Sequence, residues 1–168
     1  MKTLKIALIV VDMLKDFIEG SLKIPNVEET VKNIKEAIST ARTFKVPIIY
    51  VCDRHIPKVD RELEIWGPHA IADTEGAKVI EELSPQKGDF TVFKRRYSGF
   101  FQTDLDLLLR ELKVDTLALT GVSTDICVKC TAIDAFYRGY NLIIIKDCVA
   151  AFTRDCLLYT SPSPRDRG

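Results

Sequence analysis

A chain of 168 residues, 46% hydrophobic and 29% charged, has the length and apolar content of one globular domain with a sizeable core. Lysine plus arginine equals aspartate plus glutamate at 24 each, so no charge excess draws the chain to nucleic acid or to a membrane surface, and neither is expected as a partner. Five cysteines, an odd number, with no secretion signal fit a reducing compartment, and a cytoplasmic location is expected.

Leu4 to Val11 (LKIALIVV) is too short to span a bilayer and reads as a strand buried on both faces, ending at Asp12. Asn26 is placed to cap a helix over about 27–44, in which Val31, Ile34, Ala37, Ile38 and Ala41 recur at helical spacing. Pro47 to Cys52 follows as the second strand, with Asp53 at its end. The polar stretch from Arg54 to about Thr74 has little periodicity and carries both histidines, so it reads as a functional loop. A short helix is expected over about 76–83, then a short strand from Phe90 to Phe93 ending at Lys94, and a helix capped by Thr103 that reaches about 112. Thr116 to Thr120 is another apolar strand. It turns at Gly121 into a segment whose helix carries Cys127, runs to Arg138 and closes at Gly139; Asn141 to Ile145 is the fifth strand.

Strands alternating with helices specify an α/β domain with a doubly wound, mainly parallel sheet and helices on both faces. Ligands of such sheets bind beyond the carboxyl ends of the strands, where Asp12, Asp53, Lys94 and the Cys127 segment all fall. Residues 156–168 (CLLYTSPSPRDRG) have no period and two Ser-Pro pairs, and they look like a translated sequencing adapter. The domain is therefore expected to occupy residues 1–155, truncated at its C-terminus, with a disordered, non-native tail over 156–168.

Three groups of residues carry chemistry. Cys127 follows a strand and a turn at the start of a helix, where unpaired amides lower a thiol pKa and can bind an oxyanion; the alternative is a buried, inert thiol. Cys130 makes a C-x-x-C with it, so a redox or metal pair is a further alternative. Asp12 and Lys94 end two strands and can pair, as catalytic groups or as a structural ion pair. Asp53, His55 and His69 offer one carboxylate and two imidazoles, the donor pattern of a catalytic zinc or similar site, or else of a solvated loop.

The segments Val11-Asp-Met-Leu-Lys-Asp-Phe17, Val51-Cys-Asp-Arg-His55, Trp66-Gly-Pro-His69, Phe93-Lys-Arg-Arg-Tyr-Ser-Gly-Phe100 and Gly121-Val-Ser-Thr-Asp-Ile-Cys-Val128, in this order, resemble the isochorismatase-like cysteine hydrolases, and among them the nicotinamidase-like members. The resemblance implies a three-layer α/β/α sandwich and a triad of Asp12, Lys94 and Cys127. It also implies a cis peptide at Val122-Ser123 and an oxyanion hole from the amides of Ser123 and Cys127. Asp53, His55 and His69 match the family's metal positions, implying a divalent metal, with zinc the first expectation, and no organic cofactor. Phe17, Trp66 and Tyr97 are candidate walls for a flat ring, and a homo-oligomer is expected from the family. The implied activity is hydrolysis of a small carboxamide, nicotinamide to nicotinate and ammonia, through a thioester; the alternatives are a ureido or carbamoyl amide and, in another class, a thiol redox protein using Cys127 and Cys130. Isochorismatase itself fits less well, since that branch has no cysteine at the nucleophile position.

Overall fold

The computed structural model describes residues 4–152, so the expectations for the tail over 156–168 lie outside the described residues. At its centre is a five-stranded sheet in the order β3-β2-β1-β4-β5 with every pairing parallel. The strands are β1 (Ile6–Val11), β2 (Ile48–Asp53), β3 (Phe90–Lys94), β4 (Thr116–Val122) and β5 (Asn141–Ala150). Five helices accompany them: α1 (Lys15–Ile18), α2 (Glu28–Thr43), α3 (Glu62–Trp66), α4 (Leu105–Glu111) and α5 (Lys129–Tyr137).

The near-continuous apolar runs of β1, β2 and β4 are explained by burial on both faces. On one side Ile34, Ile38 and Ala41 of α2 pack over Leu8, Val10, Ile48 and Tyr50. On the other, Leu105 and Leu109 of α4 and Ala135 of α5 pack over Ile9, Ile49, Leu117 and Leu119. Alternate residues of one strand thus feed two separate cores, which makes the three layers. Each fully buried Ile or Leu contributes about 1.5–3 kcal/mol by leaving water.

After β1 the chain winds outward through β2 to β3, then returns to β4 on the other flank of β1 and continues to β5. Right-handed crossovers in opposite directions put α2 on one face and α4 and α5 on the other. The winding reverses between β1 and β4, and a crevice opens at such a point beyond the carboxyl ends of the strands. Asp12 follows β1 and Cys127 follows β4, so both border this crevice.

Several local expectations are corrected. Asn26 does not cap α2: it has φ +54°, and Val27 takes the cap position with no side-chain hydrogen bond. Thr103 accepts the Leu105 amide at 3.3 Å, but α4 starts at Leu105 and ends at Glu111. No continuous helix forms over 76–83; two single 3-10 turns, Glu75–Ala77 and Glu81–Leu83, stand there instead. The backbone between them is drawn out to Met13 and Lys15, with the Ile80 amide on the Met13 carbonyl and the Lys15 amide on the Lys78 carbonyl, which consumes the bonds a helix needs. The histidine-bearing loop contains one helical turn, α3. β5 continues well past Ile145 to Ala150, with its first half exposed at the sheet edge. Among the described residues no helix is long and apolar enough to cross a membrane.

Gly121 is required where β4 passes β1. Its φ is +105°, and a Cβ there would lie 2.0 Å from the Val11 carbonyl oxygen, a backbone atom that cannot move aside without breaking the β1–β4 register. Gly121→Ala is expected to lower the unfolding free energy by about 3 kcal/mol or more, measured by urea denaturation.

Candidate active site

Three strands end on one buried cation. The Lys94 ammonium lies 2.7 Å from Asp12 Oδ2 and 2.6 Å from Asp53 Oδ1, and 3.6 Å from the Cys127 sulfur. Asp12 is further fixed by accepting the Asp53 amide on Oδ1 at 2.7 Å, and its backbone sits at φ +51°, turned out of the strand direction. All three charged side chains are at most 2% exposed. Asp12 Oδ2 faces the ammonium, and a carboxylate oxygen, with two lone pairs, keeps one to accept a proton.

Burial raises the Asp12 carboxyl to about 6, with the Asp53 carboxylate adding to the rise and Lys94 opposing it. For Asp53, burial acts upward too, but the Lys94 ammonium and His55 outweigh it and hold the group below its ordinary value. Burial would lower Lys94; the two carboxylates outweigh it and keep the amine charged. Burial pushes the Cys127 thiol well above its ordinary value, Lys94 pulls the other way, and Asp12 and Asp53 add to the rise. The expectation of a thiol lowered by helix-terminal amides is therefore corrected. Cys127 sits inside a π-helical turn, Thr124–Val128, ahead of α5, and is buried beside two carboxylates, so its resting form is the neutral thiol.

The turn before it has the implied form. The Val122-Ser123 peptide is cis. The Ser123 carbonyl accepts the amides of Ile126 and Val128, which places the Cys127 amide between two turn-forming bonds.

Beside the thiol lies a second cluster. Donor atoms of Asp53, His55, Glu62 and His69 all lie within 4.8 Å of one another, and all four residues are buried. The imidazoles meet edge to face with centroids 4.8 Å apart. His69 Nδ1 is 2.8 Å from the Gly67 carbonyl and His55 Nδ1 is 3.2 Å from Asp60 Oδ2. His55 Nε2 and Glu62 Oε1 are buried with no hydrogen-bond partner. Orphaned donor atoms of that kind are expensive unless a ligand takes them. Burial, then the Asp53 carboxylate, raises Glu62 to about 7 against the pull of His55 and Lys94, and burial holds His69 below its ordinary value. Two carboxylates and two imidazoles suit a divalent first-row cation, so the residues present fit a metal.

Glu62 and Asp60 were missed in the sequence because the loop holding them has no period; a carboxylate lying between the two histidines was the available signal. Phe17, Trp66 and Tyr97 do line the cleft over Cys127, joined by Ile126 and Phe152. The Trp66 indole donates to the Tyr97 hydroxyl at 3.0 Å and stacks on Phe152 with an 8° interplanar angle, while the Phe17 ring lies 5.6 Å from His69. Neither arginine nor lysine is among the described residues that line this cleft. Cys130, in the first turn of α5 and half-buried, does not line the cleft.

The fold is shared with solved enzymes. N-carbamoylsarcosine amidase from Thermoplasma acidophilum superposes with a TM-score of 0.87 at 43% identity, covering 93% of this chain and 90% of that one. Nicotinamidase PncA from Bacillus subtilis gives 0.88 at 31% identity, covering 94% and 92%. By sequence, the isochorismatase family protein PncA of Bacillus subtilis (strain 168) is 33% identical over 167 residues, 90% of each chain. An isochorismatase domain matches residues 6–158, running past the expected end at 155 and lending the separation of the tail no support. The chain belongs to the isochorismatase family.

Proposed function

We propose that the protein is a cysteine-dependent amidohydrolase that cleaves a small, uncharged carboxamide, nicotinamide to nicotinate and ammonia being the best fit. The observation that carries this reading is the buried line Asp12–Lys94–Cys127 opening into an aromatic-walled cleft that has neither arginine nor lysine among its described lining residues. N-carbamoyl amino acids and ureido acids carry a carboxylate, for which no arginine or lysine partner stands among the described residues lining the cleft. A flat neutral ring, in contrast, finds Phe17, Trp66 and Tyr97. The second reading, a ureido or carbamoyl amide, is favoured by the 43% identity to N-carbamoylsarcosine amidase.

In the proposed reaction the ionised Asp12 accepts the thiol proton of Cys127 through its open Oδ2, and Lys94 stabilises the thiolate as it forms. The thiolate attacks the carboxamide carbon. The resulting oxyanion is held by the amides of Ser123 and Cys127. Asp12 returns the proton to the departing nitrogen, ammonia leaves, and the acyl group stays on sulfur as a thioester. Asp12 then takes a proton from water, whose hydroxide attacks the thioester, and the acid is released as the thiol is restored. A carboxyl titrating at about 6 is matched to both duties at neutral pH. When bound by Asp53, His55, Glu62 and His69, a divalent cation, zinc being the first to test, supplies a Lewis-acid position for a ring nitrogen and for water beside the thiol. The redox alternative has less support: burial raises the thiols of both Cys127 and Cys130, the reverse of the lowered pKa of an attacking redox cysteine.

Ammonia release from nicotinamide, pyrazinamide and a set of ureido compounds tests the assignment. Nicotinamide and pyrazinamide are expected to be turned over fastest, with activity falling by about three orders of magnitude or more in Cys127→Ala and Asp12→Asn; retention in either variant rejects the mechanism, and a preference for ureido acids selects the second reading. Lys94→Met leaves two carboxylates facing each other without their cation, and a loss of about 3–5 kcal/mol in urea unfolding is expected. Elemental analysis after zinc loading and dialysis should give one bound ion in the wild type and much less in His69→Ala; equal content rejects the donor assignment.

A further inference from the structure

We propose that Asp60 is a positioning residue for the donor cluster: it dictates which nitrogen of His55 faces Asp53, Glu62 and His69, and Arg95 locks it in that duty. The proposal rests on the reading of those four residues as metal donors.

Asp60 lies in the histidine-bearing loop, outside the cleft, and its side chain is fully buried. Every bond it makes is as an acceptor. Oδ2 takes the Ile56 amide at 2.8 Å, closing the loop just after His55. The Arg95 Nε donates to Oδ1 at 2.9 Å and Oδ2 at 3.1 Å, its Nη2 also donates to Oδ1, and the Arg96 guanidinium lies 3.9 Å away. A carboxylate gripped by a guanidinium across both oxygens stays ionised and has no proton to give.

His55 Nδ1 lies 3.2 Å from that carboxylate. Were the ring protonated only on Nε2, the Nδ1 lone pair would point at an anion 3.2 Å away, whereas the carboxylate nearest Nε2, Asp53 Oδ2, lies beyond hydrogen-bond distance at 3.7 Å; the proton therefore sits on Nδ1, which donates to Asp60. Nε2 is left as the ligand atom. It is the nitrogen that has no hydrogen-bond partner, 3.7 Å from Asp53 Oδ2 and 3.8 Å from Glu62 Oε2. His69 reaches the same orientation by a weaker device, its Nδ1 against the neutral carbonyl of Gly67. An anionic partner makes an imidazole the more basic donor, so the two histidines are unequal: His55 is the ligand whose strength is tuned, and Asp60 tunes it. Arg95 follows Lys94 in the chain, so the end of β3 sends one cation to Asp53 and the next to Asp60.

The test uses the full chain stripped with chelator and titrated with cobalt(II), read by its visible absorption and by calorimetry. Asp60→Asn keeps the shape and removes the charge; cobalt affinity is expected to fall by about ten- to hundredfold, with altered absorption bands. Unchanged affinity overturns the proposal, even if the variant melts at a lower temperature, since that outcome describes a loop staple alone. No binding by the wild type overturns the metal reading itself and is distinguishable, because wild type and variant then agree at zero. Imidazole 15N spectra of the metal-free wild type at alkaline pH give a readout that needs no Asp60 variant: a His55 proton on Nδ1 supports the proposal, and one on Nε2 overturns it.

Discussion

The Lys94 ammonium allows β1, β2 and β3 to end in the same dry place. Asp12 and Asp53 are joined by a backbone hydrogen bond and would repel each other there without a cation between them. Burying a lone carboxylate costs several kcal/mol after relaxation, and burying two together costs more. The ammonium is itself buried and needs both partners to stay charged. The three residues are thus mutually conditional: each makes the burial of the other two tolerable. The compensation is unequal, since Asp53 is drawn below its ordinary value while Asp12 remains above. Two aspartates in one ion-pair cluster are thereby separated into a permanent anion and a group that can exchange a proton near neutral pH.

Asp53 belongs to two neighbourhoods. Its Oδ1 faces the ammonium and its Oδ2 faces His55 across 3.7 Å. The donor cluster and the nucleophile are therefore adjacent parts of one polar seam, bordered by the apolar cleft that Phe17, Trp66 and Tyr97 help to wall.

The sheet was readable in the sequence because its three central strands are buried on both faces, which leaves unbroken apolar runs in β1, β2 and β4. The amphipathic α2 and the strand-end positions of Asp12, Asp53 and Lys94 followed from the same patterns. What periodicity could not supply lies where bonds are made to distant chain: the segment 76–83 looked helical but spends its backbone on Met13 and Lys15. The Asn26 cap failed because residue type signals a turn without saying which residue closes it. Cys127 could be found, but its electrostatics could not. A helix start suggests a lowered thiol, and burial, with Asp12 and Asp53 adding to it, reverses the direction. Glu62 and Asp60 sit in a loop without repeat, and Arg95, which holds Asp60, comes from the end of another strand.

The pairing of the strands also sets how much change the chain can absorb. Val11 is level with Val51 on one side and with Gly121 on the other, and Asp53 is level with Lys94. Asp12, Asp53 and Lys94 are therefore counted from the sheet, one per strand end, whereas Cys127 and the donors His55, Glu62 and His69 ride on the connections. Lengthening a crossover leaves that count intact. Inserting a single residue within β2 would turn Asp53 to the opposite face and bring Cys52 against the Lys94 ammonium. Insertions and deletions should be tolerated in the parts of the connections that hold no site residue and rejected within the strands.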